Sequence, residues 1–273
     1  AGKQLTFDLD AKVDQLSARM GKDAIAPLDV PVVANGRALD MKKFSLSEYR
    51  LDLTQQGQSI LAVFGTGSCD PTTKDADLQI TVQAALSRLV TLMAMKDVAC
   101  SAGKLNLTGH VTSKGETRTV TGQLALAEFT GRYGDYRFET FGTTVDLDLL
   151  MKGQQVEIRK ATGQLREGQT AGGKFDASGN YDLDKKAGQI ALKLVDFKEN
   201  DLRPFLQPSL GDKKLVSVSL TTTASAGFSA NGDATVKADV QLANLVVQDP
   251  KNQLPAQPLE LRLQIDAGAA GVR

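Results

Sequence analysis

The chain has 273 residues and a mass of 29.1 kDa, enough for one large domain or two smaller ones with a sizeable apolar core. Its 32 basic and 32 acidic residues cancel and are interspersed, so neither the basic excess of a nucleic-acid binder nor a polybasic membrane patch is present. One histidine, two cysteines and no tryptophan leave catalysis to carboxylates or to a single imidazole.

The chain opens with Ala1-Gly2-Lys3 and enters a strand pattern at once, with Leu5, Phe7, Leu9, Ala11 and Val13 alternating with polar residues. Residues 16–35, with Pro27 and Pro31, read as a helix followed by a loop. Alternation returns at Tyr49, Leu51, Leu53 and at Leu78, Ile80, Val82. Gln83 to Lys96 then carries Ala84, Ala85, Leu86, Leu89, Val90, Met93 and Ala94 at helical spacing, which predicts a helix. Such a helix caps one end of a sheet or serves as a lid.

Beyond it the alternating sets follow in quick succession. They are Leu105, Leu107; Leu124, Leu126; Val145, Leu147, Leu149; Val156, Ile158; Ile190, Leu192, Leu194; Val216, Val218, Leu220; Val236 to Leu242; and Leu259 to Ile265. Successive side chains on a strand point to opposite faces, so each set has one apolar and one polar face. This favours antiparallel strands with one wet face. Turn signals such as Gln55-Gln56-Gly57, Ser113-Lys114-Gly115, Lys152-Gly153, Arg166-Glu167-Gly168 and Asn231-Gly232-Asp233 separate the strands. Asn200 to Leu206 reads as a short helical turn that Pro208 stops. The fold class is therefore mainly β: an extended antiparallel meander, as a β-groove or open sandwich, with one or two short helices. It reads as a single elongated module over 1–273, with a possible sub-boundary near 97–102.

No secretory signal opens the chain, and its longest apolar run, Leu89 to Met95, is far short of the roughly 20 residues that cross a bilayer. With no initiator Met, the chain reads as a piece of a larger protein, any anchor or export signal lying outside it.

An internal repeat is visible. Gly103-Lys104-Leu105-Asn106-Leu107-Thr108-Gly109 matches Gly173-Lys174-Phe175-Asp176-Ala177-Ser178-Gly179, and Gly122 to Leu126 matches Gly188 to Leu192. A weaker third copy runs from Gly227 through Leu242. Each copy leads into a further apolar cluster, at Phe129, Phe197 and Leu245. Chance likeness among β meanders is one account; a stacked repeat is the other.

The chemical candidates each have a plain alternative. Cys69 and Cys100 could form a disulfide that pins the helix to the sheet, at roughly 3–4 kcal/mol, or remain buried free thiols. Neither has the neighbours of a zinc site. His110 falls in the polar phase of its strand, which fits a solvated side chain better than a catalytic base. Asp8/Asp10, Asp146/Asp148 and Asp182/Asp184 place paired carboxylates on strand faces, as glycoside hydrolysis or calcium binding would need, or as any wet face supplies. Gly131-Arg132-Tyr133-Gly134-Asp135-Tyr136-Arg137-Phe138 is the one aromatic-basic cluster, either a headgroup or partner contact or a tight turn.

The order of a strand pair, then Ile190 to Phe197, then Asp201-Leu202-Arg203-Pro204-Phe205-Leu206, then new strands at Val216, resembles a known family. It is the AsmA-like family of Gram-negative envelope proteins, the TamB- and YhdP-related β-groove proteins. The likeness is best over residues 103–250, and its motifs are set by composition more than by fixed residues. It implies a periplasmic module, anchored to the inner membrane in the full-length parent. Its apolar groove would bind or conduct phospholipids, or other acyl-chain lipids, between inner and outer membranes and so support outer-membrane biogenesis. On this reading the lipid-facing residues are Leu105, Leu107, Leu124, Leu126, Val145, Leu147, Leu149, Val156, Ile158, Ile190, Leu192 and Leu194. No catalytic residue, cofactor or metal is implied; envelope proteins are possible partners, and nucleic acid is not. The rival readings are a structural or adhesive β-sandwich with a closed core and, more remote, a carboxylate hydrolase.

Overall fold

The computed structural model describes residues 3–20, 23–93, 95, 97–251 and 257–271. These residues form one antiparallel sheet of fourteen strands in which every strand lies beside its neighbours in sequence. The strands are β1 (Gln4–Met20), β2 (Asp23–Leu39), β3 (Lys43–Gln55), β4 (Gln58–Asp70), β5 (Asp75–Ala85), β6 (Val98–Lys114) and β7 (Thr117–Tyr133). They continue as β8 (Tyr136–Lys152), β9 (Gln155–Glu167), β10 (Thr170–Asp182), β11 (Ala187–Lys198), β12 (Lys214–Phe228), β13 (Ala234–Gln248) and β14 (Leu259–Ala269). Helix α1 (Leu86–Leu92) joins β5 to β6, and α2 (Glu199–Leu210) joins β11 to β12. The fold is the extended mainly-β meander that the alternation predicts. Near residues 97–102 β6 begins at Val98, paired there with β7 through two register shifts and with β5 only from Lys104 onward.

Glycine sets the tight turns. Gly115, Gly134, Gly153 and Gly168 each open a two-residue loop at φ +59, +56, +56 and +57, a backbone that matches the twist of the flanking strands and that side chains resist. Connections alternate between the two edges of the sheet. Both helices lie on one, here the helix edge, and the other is the turn edge. Along the turn edge successive turns are tied together: the Gly115 N–H donates to Asp75 Oδ1 (3.3 Å), Gly153 to the Glu116 carbonyl (3.4 Å) and Leu183 to the Gln154 carbonyl (2.9 Å).

Three local expectations are corrected. The described residues of 16–35, namely 16–20 and 23–35, are strand and not helix and loop. Leu28, Val30, Val32 and Ala34 alternate with the prolines, and the β2–β3 register is the same on either side of Pro31, from Asp29–Thr54 to Val32–Leu51. The helix expected over 83–96 is only Leu86–Leu92, because Gln83, Ala84 and Ala85 continue β5 and pair with Asn106, Leu105 and Lys104. Ala94 and Lys96 lie outside the described residues. Helix α2 starts at Glu199 and runs through both Pro204 and Pro208 to Leu210. Its start is fixed by Asp201, 3% exposed, which accepts the N–H groups of Lys198 (2.9 Å) and Gly173 (2.8 Å). That buried tertiary anchor outweighs the weak propensity of a proline-bearing segment.

The fold is unusually open. It exposes 17602 Å2, against about 11,400 Å2 for a compact protein of this mass. Among the described residues no second sheet covers the first, so the closed sandwich core is not what these strands build.

Candidate functional site: a continuous apolar face

Register decides which side chains share a face. Starting at Leu9, cross-strand partners run Ala34, Tyr49, Gly65, Ile80, Gly109, Gly122, Leu147, Ala161, Ala177, Leu192, Ala224, Ala238 and Ile265, one from each strand. A second row runs parallel to it from Ala11 to Leu263, and a third from Phe7 to Ala267. No position in the three rows holds a charged residue. Their only polar groups are satisfied within the sheet: the Tyr49 hydroxyl donates to the Gln79 carbonyl at 2.9 Å, and Thr222 Oγ1 to the Asp239 carbonyl at 2.8 Å. Burial pushes the Tyr49 phenol pKa up, so it stays neutral.

At about 4.8 Å per strand a row is about 62 Å long, and three rows two residues apart make a band of roughly 1,200 Å2. The largest apolar patch on an ordinary monomer is about 300–600 Å2. No aliphatic or aromatic side chain in the rows is buried; all are partly or well exposed, Ile190 by 37% and Leu263 by 47%.

All twelve candidate residues lie on this face. Leu107, Leu124, Val145 and Leu194 share one row, Leu147 and Leu192 the next, and Leu149, Ile158 and Ile190 the third. Leu105 and Leu126 pair with each other toward the helix edge, and Val156 lies between Met151 and Tyr181 toward the turn edge.

The opposite face is polar and internally paired. Asp146 meets Lys160 (3.7 Å) and accepts from Gln123 (3.0 Å), Asp148 faces Arg159 (3.8 Å), and Asp239 faces Arg262 (3.1 Å). His110 sits on this face with Nε2 2.7 Å from Asp77 Oδ1, both side chains exposed. A shallow depression on this side is lined by Thr81, His110, Gln123 and Asp146.

Toward the helix edge the face survives by a device that the sequence did not announce. Among the described residues five strands carry a non-glycine residue at positive φ: Gln15 in β1 (54°), Glu128 in β7 (55°), Thr140 in β8 (47°), Asp196 in β11 (56°) and Asn244 in β13 (52°). Each lies at a register shift, so one extra residue is inserted there. Strict alternation would send the following residue to the polar face. The bulge returns it: Leu16 pairs with Leu28, Phe129 with Phe141, Phe197 with Leu220 and Leu245 with Leu259, all on the apolar side. The pattern is apolar-x-polar-apolar, at Leu126 to Phe129, Leu194 to Phe197 and Leu242 to Leu245, and it recurs in the second strand of each copy of the repeat. The glycines shared by the repeats also acquire a reason. A Cβ at Gly103 would lie 3.2 Å from Leu86 of α1, and one at Gly173 would lie 2.2 Å from Phe197, beside the start of α2.

Other candidates are not brought together. Cys69 and Cys100 are free thiols. Cys69 is level with Ser113 across β5, and Cys100 is thirteen residues further along β6, about 43 Å at strand rise. A disulfide spans Cα atoms under about 7 Å apart, so the expected cross-link is corrected. Burial raises the Cys100 thiol pKa, and its Sγ donates to the Ala102 carbonyl at 3.2 Å. Asp182 and Asp184 are not a strand pair: Asp184 is in the turn, and Asp182 closes that turn by accepting the Lys185 N–H at 2.9 Å. Among the described residues no three His, Cys, Asp or Glu side chains converge to hold a metal ion.

No family model, curated protein or solved structure matches this chain.

Proposed function

We propose that the apolar face is the working surface, and that this chain is a periplasmic AsmA-like segment that carries phospholipid acyl chains along it between the two membranes. The uncovered band without a charge, about 62 Å long, is the observation that carries the reading. An acyl chain needs area and few directed contacts, and each methylene laid on such a surface gains up to about 0.8 kcal/mol. Alanine and glycine between the larger aliphatics keep the band smooth, as at Ala161, Ala177, Ala224 and Ala238. The polar face keeps the other side wet. No step of this work needs a nucleophile, a metal or a cofactor, and the proposed role is not enzymatic.

Native mass spectrometry of protein purified from Gram-negative cells tests this. Co-purifying phospholipid is expected, and Leu147→Asp, in the middle of the band, should deplete it while the protein stays folded. Lipid-free protein that also binds no hydrophobic dye would return the face to a merely structural role.

A further inference from the structure

The chain has fourteen aromatic side chains, ten Phe and four Tyr, and one corner gathers five of them into a connected set. At the helix edge Phe138 touches Phe129 (5.6 Å between centroids), Phe141 (5.3 Å) and Phe205 of α2 (5.8 Å), and Phe205 touches Tyr136 (5.9 Å). Hairpin β7–β8 has strands of seventeen residues, whereas its neighbour β9–β10 has strands of thirteen, and α2 packs against both β8 and β12. The hairpin tip and α2 therefore share this corner. Their outer aromatic and aliphatic side chains are uncovered: Tyr133 is 58% exposed, Phe205 46%, Tyr136 39% and Leu206 38%.

Beside them Arg132 and Arg137 are direct cross-strand partners, and both are exposed. Like charges in that position repel, at a cost that an anion between them removes. Neither arginine forms an ion pair among the described residues. Asp135 lies in the turn between them, and Glu139, Glu167 and Arg203 line the cleft between β8 and α2. The corner thus has little net charge, and long-range attraction is not its strength.

We propose that this corner is a docking point for a phospholipid surface. Tyr133 and Tyr136 enter the headgroup layer with Phe205 and Leu206, and Arg132 and Arg137 hold lipid phosphates. Amphipathic phenol rings favour that layer over either water or hydrocarbon. Guanidinium forks fit phosphate oxygens in pairs. With the charge nearly balanced, ring insertion and short-range phosphate contact lead, so neutral phosphatidylcholine should bind measurably and phosphatidylglycerol only modestly better. The inference deepens the lipid-carrying reading by placing where the apolar face meets a bilayer, and it rests on different residues.

The chain has no tryptophan, so Tyr133→Trp gives a single fluorescent reporter on an otherwise intact protein. With phosphatidylcholine vesicles containing phosphatidylglycerol, its emission should shift to the blue and the protein should co-sediment. Arg132→Gln with Arg137→Gln should weaken partitioning about twenty-five-fold, at about five-fold for each arginine. Tyr133→Ser with Tyr136→Ser should weaken it too, while both variants keep their circular dichroism. Reporter emission unmoved by vesicles, or an arginine variant that binds as tightly as the parent, would overturn the proposal. So would displacement by inorganic phosphate or glycerophosphocholine, which would mark a soluble-anion site. Lipid occupancy of the apolar face, read by mass spectrometry in the tyrosine variant, is independent of these outcomes and reports on the lipid-carrying reading alone.

Discussion

The two ends of the strands obey different rules. Toward the turn edge the rows stay continuous through register shifts near Ser47 in β3 and Arg159 in β9, and the aliphatic and aromatic side chains of the rows are partly exposed, with no second layer above them among the described residues. Toward the helix edge the strands are bulged, two helices are seated on glycines, and side chains on the strands that α2 contacts are truly buried: Phe197 is 7% exposed, Val218 3% and Leu215 1%. The same alternating chemistry thus serves two purposes. Under α2 it is a small core that supplies stability. Along the rows it is a surface whose side chains contribute little to stability, because folding removes little of their area from water.

Three measurements sharpen or break that contrast. The largest effect is expected for Leu215→Ala, which should cost about 3 kcal/mol by emptying a packed site. Leu147→Ala, in the open rows, should cost at most about 1 kcal/mol. Urea unfolding of the two variants gives the difference directly, and equal losses would show that the rows are packed after all. Next, Glu128→Gly should stabilise by about 0.5 kcal/mol or leave stability unchanged, because φ of 55° strains a residue with a side chain and suits glycine. A clear loss would assign Glu128 a contact beyond the exposed 3.7 Å pair with Lys104. The smallest effect concerns Asp182, whose carboxyl pKa is held below its ordinary value first by the Lys185 N–H and then by the Lys185 ammonium. A lowered folded-state pKa means that the contribution is present above the ordinary carboxylate pKa and is lost as pH falls through the lower, folded value. Melting temperatures of the parent and of Asp182→Asn should therefore differ slightly at neutral pH and converge in acid.

How far the sequence shows this depends on which physical rule sets each feature. Period-two patterning exposes the apolar face because the pleat allows no other reading, and all twelve candidates at Leu105 through Leu194 fall on one side. Turns were visible where glycine supplied positive φ at Gly57, Gly115, Gly153, Gly168 and Gly232. The bulges were not, since Glu128, Asp196 and Asn244 adopt positive φ without being glycine, and only the apolar residue one place early, as at Phe129 and Phe197, signals them. Strand β2 was hidden by prolines that local rules assign to loops, although they occupy its polar phase. Cysteine spacing carried no information on distance: a meander can place two residues on strands one apart and still separate them along nearly the whole strand length. Continuity across all fourteen strands was a property of register, which no single segment displays.

The strictly sequential strand order has a consequence for how such a molecule is made. Every strand finds its partner in the segment just before it, so the longest loop to close is the α2 connection of fifteen residues between Lys198 and Lys214. A chain delivered from one end, through a translocation pore or off a ribosome, can add strands one at a time onto an edge that already exists. It never has to hold a finished segment in waiting for a distant one.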